Sequence, residues 1–367
     1  MRDIIARAAV RTVAAIATIV VALGGCSTRP ESAAPRSGSV WVANEGQDSL
    51  TVLDAANGTA AITLNGIKAP HNVQVGRDGA IVYAVSSAGV VVAIDAASYQ
   101  VTATAPTGSE PAHVIEAPNG KVYVTNAGDG TVSVFRTPGL SPAGRITLGG
   151  MPHGLRAASG GSMIVVANTM DGAVDLIDPA TDKYVGAVPV GARPAQVAVS
   201  ADGKYAYTGI SDPPAVVKVD LTQRKVVGRA AIPSAPVQLY LTPDGKEVVS
   251  ADQGTKDAQG HTLSVVDTKG MTIRATVTTG AGPHGVVIDD SGKWAWVTNS
   301  YDNTVTAVDL STSTAIPAVS VGIQPSGISY STRPPASAPA PTTALDIPIP
   351  STALPEEARS DQHSGHH

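Results

Sequence analysis

One cysteine, Cys26, and one phenylalanine, Phe135, occur in the 367 residues, and aromatic residues make up only 4% of the chain. A single cysteine excludes a disulfide framework, a cysteine-ligated zinc site and a cysteine-containing heme attachment pattern. Charged residues are also sparse, at 15%, and the net charge is −5 with no basic block. A phosphate-backbone footprint therefore has nothing to build on, and nucleic acid is not an expected partner. Three further patterns are missing: a serine elbow, a His-Glu-x-x-His pair, and a glycine-rich phosphate loop between a strand and a helix.

The first 25 residues differ from the rest. Arg2, Arg7 and Arg11 precede the apolar stretch Val13–Leu23, and Leu23-Gly24-Gly25-Cys26 then places small residues before the cysteine. That order describes a secretory signal, and the apolar stretch is near the lower limit for spanning a bilayer. The tetrapeptide resembles the processing box of bacterial lipoproteins. The resemblance implies cleavage before Cys26, lipid on its thiol, and a protein held on the extracytoplasmic side of the cell membrane in the cell envelope, where several acyl chains anchor stably. Loss of residues 1–25, with three Arg and one Asp, takes the charge from −5 to −7. Residues 26–39, rich in Ser, Pro, Arg and Ala, read as a flexible tether. Residues 332–367 are polar and proline-rich, end in His363-Ser364-Gly365-His366-His367, and are expected to form a disordered tail.

Between these ends a unit of about 42 residues recurs. Pro70, Pro111, Pro152, Pro194, Pro236, Pro283 and Pro325 each open an apolar run, at spacings of 41, 41, 42, 42, 47 and 42. A second series, Asp54, Asp95, Phe135, Asp178, Asp220, Asp267 and Asp309, keeps the same step and closes another strand in each unit. The apolar runs are five to seven residues long, rich in Val, Ile, Thr and Tyr, and bounded by Gly, Asn, Asp and Pro. This favours strands over the longer three-and-four spacing of a helical solenoid. The unit from Pro283 to Gly322 divides into four: Gly285–Asp289, Lys293–Asn299, Thr304–Asp309 and Ala315–Val321. Four short antiparallel strands per unit describe a propeller blade. Val40–Asn65 supplies three strands without an inner one, and Pro325–Tyr330 is an inner strand with nothing after it. The predicted fold is all-β: residues 40–331 form a seven-bladed β-propeller closed by pairing its terminal strands.

Tyr123-Val124-Thr125-Asn126, Trp296-Val297-Thr298-Asn299, Trp41-Val42-Ala43-Asn44 and Val165–Asn168 lie in register with Asp-Gly or Asn-Gly turns. They resemble the YVTN beta-propeller repeat family, including YncE-like bacterial proteins. The resemblance implies architecture and leaves activity open.

Blade topology sorts the loops into two faces. Loops after the second strand and between blades lie on the top; the Asp-Gly turns lie on the bottom. All five histidines of the body fall on the top. His71, His153 and His284 follow blade-opening prolines, His113 is one position further along in its unit, and His261 lies in the polar insertion Gln253–His261 beside Asp252. His71, His113 and His153 are predicted to line one arc of the channel mouth, three blades in succession, with His284 further round. Three imidazoles there suit Zn, Cu or Fe, with Met151 as a further soft ligand for copper or heme iron. The same residues also suit a structural role, with histidines orienting the loops by hydrogen bonds to backbone. Asn44, Ser86, Asn126, Asn168, Ile210, Asp252 and Asn299 end the second strands and are expected to cap their hairpins.

Two functional readings follow. The first is a membrane-tethered, monomeric, non-enzymatic module without a cofactor that binds a protein, glycan or small molecule through its top face, using His71, His113, His153, His284, Asp252 and His261. The second is a metal- or heme-dependent enzyme or cofactor-handling protein using the channel-mouth histidines, with Asp252 or Glu110 as an acidic partner.

Overall fold

A computed structural model describes residues 36–338 and 340–348. The segment expected to be a secretory signal, Cys26, most of the expected tether and the histidines of the C-terminal tail lie outside the described residues. Each expected unit folds as a four-stranded antiparallel sheet. In blade two the order from axis to rim is Pro70–Val75, Ile81–Ser86, Val90–Asp95 and Val101–Pro106. The alternation of the sequence supplies the reason: side chains of the middle strands face the neighbouring blades on both sides, and Val82, Ala84, Val92 and Ile94 are fully buried.

Blade one is built from both ends of the body. Its inner strand is Pro325–Ser331, which pairs antiparallel with Ser39–Asn44, followed by Ser49–Asp54 and Thr59–Asn65. Inner strands contact one another in sequence from blade one through blade seven and back to blade one, so the ring is closed. A core shared by blades seven and one seals the seam: Val40, Val42, Leu53, Trp296, Val305 and Ile328 pack together.

The third-strand aspartates act locally. Asp54, Asp95 and Asp178 each accept a hydrogen bond from the backbone N–H two residues on, at 2.8, 3.0 and 2.9 Å, and so tie off the bottom turns. The fourth strand of blade seven departs from the expected Ala315–Val321. It is split into Thr314–Ala315 and Val319–Ser320, both paired with the third strand. Pro317 sits in the gap, where it has no N–H to give a ladder.

The segment after the last blade strand also departs from the expected disordered tail. Thr342–Ala344 adds to blade one as a parallel fifth strand against Thr63–Asn65. Ala336, Ala338, Leu345 and Ile347 pack on the core shared by blades one and two, and the Tyr99 hydroxyl donates to the Ala336 carbonyl. A few apolar residues interspersed among prolines suffice, because an exposed outer strand offers unpaired backbone groups to whatever chain lies beside it.

Ile328 is 3% exposed in the seam. Ile328→Ala is expected to destabilise the protein by about 2–5 kcal/mol. Urea denaturation followed by tryptophan fluorescence checks this; a loss below about 1 kcal/mol would show that the seam does not limit stability.

Candidate functional site

The inner strands do not begin as regular ladders. In blades one, two, three, four and seven the register slips between the opening proline and the residue three further on, at Pro325/Ile328, Pro70/Val73, Pro111/Val114, Pro152/Leu155 and Pro283/Val286. Two residues therefore oppose one, as in a β-bulge, and an extra side chain is turned out of the ladder. Repeated around the ring, this makes two tiers at the top of the axis. The upper tier is His71, Ala112, His153, Ala195, Val237, His284 and Ser326; the lower is Asn72, His113, Gly154, Gln196, Gln238, Gly285 and Gly327.

The signature residues of the second strand fix these bulges. Thr125 Oγ1 accepts from the His113 backbone N–H at 3.0 Å and donates to the His153 carbonyl of the next blade at 2.5 Å. Thr298 does the same between Gly285 and Ser326, at 2.7 and 2.9 Å. The asparagine beside each threonine caps its own hairpin and clamps the incoming linker. Asn126 Nδ2 donates to Thr131 and Ser133, and its Oδ1 accepts from the Gly108 N–H; Asn44 and Asn299 repeat the pattern. Gly154 is required where it stands, since a Cβ there would lie 2.3 Å from Gln196 Oε1.

Four imidazoles meet at the axis. Ring centroids are separated by 4.8 Å for His113 and His153, 5.1 Å for His71 and His153, 5.4 Å for His71 and His113, and 5.7 Å for His71 and His284. His71, His113 and His153 each bring one ring nitrogen to within 4.8 Å of the others. The predicted arc is thus a cluster, and it differs from expectation in taking in His284. His113, one position late, joins because the bulge turns both tiers inward. His284 joins because the axis is narrow enough for blade seven to reach blade two.

Outer partners set the tautomers. Glu45 Oε2 lies 3.1 Å from His71 Nδ1, and the Ala195 carbonyl lies 2.8 Å from His153 Nδ1. A carbonyl only accepts. Burial raises the Glu45 pKa, but the hydrogen bond and charge of His71 outweigh it, and the carboxyl ends below its ordinary value. Both Nδ1 atoms therefore donate, which leaves the Nε2 lone pairs of His71 and His153 free. His113 is held differently. Gln196 Oε1 accepts from the Val197 N–H at 2.8 Å, so its Nε2 faces His113 Nδ1 at 3.3 Å and donates, placing the imidazole proton on Nε2. The Nε2 atoms of His71 and His113 and the Nδ1 atom of His284 are buried without a partner.

Burial and repulsion from neighbouring imidazoles keep His113, His153 and His284 neutral. The pKa of His153 is pushed down to about 4 by burial and then by His71. That of His284 falls to about 3 by burial and His71, and that of His113 is driven well below its ordinary value by burial and His153. A group of neutral imidazoles with unsatisfied nitrogens is suited to coordination and poorly suited to binding an anion by charge.

The other predicted residues lie elsewhere. His261 is exposed, on a strand of the blade-six hairpin formed by Glu247–Gly254 and Gln259–Asp267. Most of the Gln253–His261 insertion is thus paired strand rather than open loop. Asp252 is fully buried inside that hairpin, accepting from Ser250, Ser264 and Thr262 at 2.8, 2.6 and 3.2 Å. Glu110 is exposed. The carboxylate at the cluster is instead Glu45, which sequence reasoning missed. Its signal is local: the residue after the second-strand asparagine is Glu45 in blade one, but Ala127, Thr169 and Ser300 in blades three, four and seven.

Residues 71–236 match the YNCE-like beta-propeller family, and the seven-blade arrangement carries the same repeat beyond that stretch. No curated protein matches the chain. Among solved structures, hydrazine synthase from Kuenenia stuttgartiensis is 20% identical, with a TM-score of 0.64 over 71% of this chain and 89% of that one. A functionally unknown protein from Desulfotomaculum acetoxidans is 12% identical, with a TM-score of 0.70 over 81% of this chain and 100% of that one. A dihydro-heme d1 dehydrogenase is 14% identical, with a TM-score of 0.60 over 83% and 78%. At these identities the likeness is one of fold alone.

Asp252 stands where Asn44, Asn126, Asn168 and Asn299 stand in other blades, and burial lifts its carboxyl from 3.8 to about 7. A raised folded-state value means that its stabilising contribution is complete below pH 3.8 and is lost as pH rises through about 7. Asp252→Asn is accordingly expected to be more stable than the wild type at pH 8, by on the order of 2–4 kcal/mol, with the gap closing towards pH 4. Denaturation at several pH values checks this; a gap independent of pH would show that Asp252 titrates normally.

Proposed function

We propose that this YNCE-like propeller is a binding module held at the outer side of a membrane, and that its axial mouth binds a divalent transition-metal ion. The observation that carries the metal reading is that His71, His113 and His153 each bring one ring nitrogen to within 4.8 Å of the others, with the Nε2 atoms of His71 and His113 buried and without a partner. A buried polar atom left unsatisfied costs about 1–3 kcal/mol, and the bare Nε2 of His71 calls for a ligand that accepts its lone pair. His71 and His153 are ready donors, since their Nδ1 protons are held outward by Glu45 and by the Ala195 carbonyl. The first of these is a carboxylate–histidine pair of the kind that orients metal ligands. His113 becomes a third donor once its proton moves from Nε2, and His284 lies beside His71 as a fourth.

All-imidazole donors suit Zn(II) or Cu(II). Nitrogens around a tetrahedral ion with bonds of about 2.1 Å are about 3.4 Å apart, so side-chain rotation of about 1 Å closes the site. Ring centroids 4.8 to 5.7 Å apart leave room between them for an ion but not for a porphyrin. Attachment rests on Cys26 and the signal-like residues before it. Among the described residues no helix is long and apolar enough to cross a membrane. The blade-six hairpin, with His261 exposed on it, is a rim feature suited to contacting a protein, glycan or small molecule.

Untagged protein prepared without added metal and titrated with Zn(II) and Cu(II) by calorimetry is expected to bind one ion per chain. His71→Ala or His153→Ala should abolish it, and Glu45→Gln should weaken it about 10–100-fold. Absence of stoichiometric binding, or binding indifferent to these histidines, refutes the metal site. Separately, Cys26→Ala is expected to move the protein from the membrane fraction to the soluble fraction; an unchanged membrane fraction would rule out the lipid anchor.

A further inference from the structure

The axis has a second end. Below the histidine tiers, on the side of blades four to seven, a cavity of about 710 Å³ opens among the bottom turns. This volume falls within the range of small-molecule sites. Its floor comes from the far ends of the inner strands, including Ala157, Ala198, Leu241 and Ile288. Arg156 lies three residues along the blade-four strand from His153, about 10 Å lower at the strand rise.

Arg156 is poorly provided for. Among the described residues its side chain makes one hydrogen bond, from Nη1 to the Leu155 carbonyl at 3.0 Å, and no carboxylate forms an ion pair with it. One face of the guanidinium rests on the Tyr240 ring, 5.7 Å from its centroid. Lys218 and Lys269 also line the cavity, but Lys218 already donates to the Thr268 carbonyl at 2.8 Å and lies over the Tyr205 ring at 4.2 Å. Lys269 is exposed at the rim, so Arg156 is the cation that is both partly buried in the cavity and equipped with a planar fork short of acceptors. A planar fork beside an aromatic wall matches a carboxylate attached to an apolar or aromatic body.

The entrance narrows the choice further. Asp202 and Asp244 are held in their turns by Ser200, Lys204, Thr242 and Lys246. Hydrogen bonds from those partners keep both carboxyls below their ordinary range, Asp244 at about 2. With Asp289 and Asp290 they make an acidic rim. Multiply charged anions such as phosphates meet that rim at greater cost than a monoanion does.

We infer that this lower cavity binds a small organic monocarboxylate with an apolar or aromatic body, and that Arg156 is its anchor. The reading does not require a metal at the histidines above.

Calorimetric titration of chelator-treated protein with benzoate tests the inference, with the neutral isostere benzamide and inorganic phosphate as comparisons. Saturable binding of benzoate alone is expected. Arg156→Met should weaken it about tenfold or more, as loss of a charge-assisted hydrogen bond does, and Arg156→Lys should weaken it less. His71→Ala should leave it unchanged, which separates failure here from failure of the metal site. Benzoate binding unaffected by either Arg156 variant, benzamide binding as tightly as benzoate, phosphate binding in preference, or no saturable binding up to about 10 mM would each overturn it. Should Arg156→Met fail to fold, Arg156→Lys decides alone, and wild-type affinity in that variant overturns the inference.

Discussion

The hydrogen-bonded seam between Pro325–Ser331 and Ser39–Asn44 is the constraint on which the rest depends. Seven sheets that share faces only with their neighbours would otherwise form an open arc, with one unpaired inner edge and nothing to fix its radius. Pairing the two ends of the body fixes the number of sheets around one axis and hence how near the inner strands come to one another. It also makes the arrangement cooperative, because a loosened blade costs contacts on both its sides. The outermost strand of that same blade is covered by Thr342–Ala344, so the blade assembled from distant segments is also the one with an added rim strand.

Closure by itself would place an apolar plug on the axis. The bulge at the start of five inner strands is what makes the axis polar, because it turns two consecutive side chains inward and leaves backbone groups needing partners. Thr125, Thr298 and the hairpin-capping asparagines supply those partners. The Thr-Asn pair of blades three and seven, with Thr208 in blade five, is therefore a fixture for the residues after the prolines there. It positions histidine, glycine or glutamine alike, which explains how one scaffold carries different sites. Along the axis the two ends then diverge in chemistry: neutral imidazoles with free lone pairs at the top, and a guanidinium short of acceptors at the bottom.

Much of the fold was legible in the sequence. Blade number, strand order, ring closure and the face carrying His71, His113, His153 and His284 all follow from the 42-residue step, since a repeat that cannot bury its own faces must stack on copies of itself. Departures came where local composition competes with pairing. Pro317 split an expected strand, and a proline-rich segment expected to remain unpacked found an open edge. Asp252 and His261 were grouped with the other histidines because the period assigns a face but not a radius; one is sealed inside a hairpin and the other is exposed far along it.

The sequence alone determined the repeat, its count and its polarity, because hydrophobic alternation and turn residues are local properties that survive without knowledge of distance. Only the tertiary structure decided which side chains meet. His71 and His284 come from blades two and seven, Glu45 from the 3-10 turn after the strand Ser39–Asn44 of blade one, and Arg156 from the opposite end of the strand that carries His153. Their proximity is set by the radius of the closed ring and by a one-residue slip in its inner strands. Both arise from packing among all seven blades and from no single one of them.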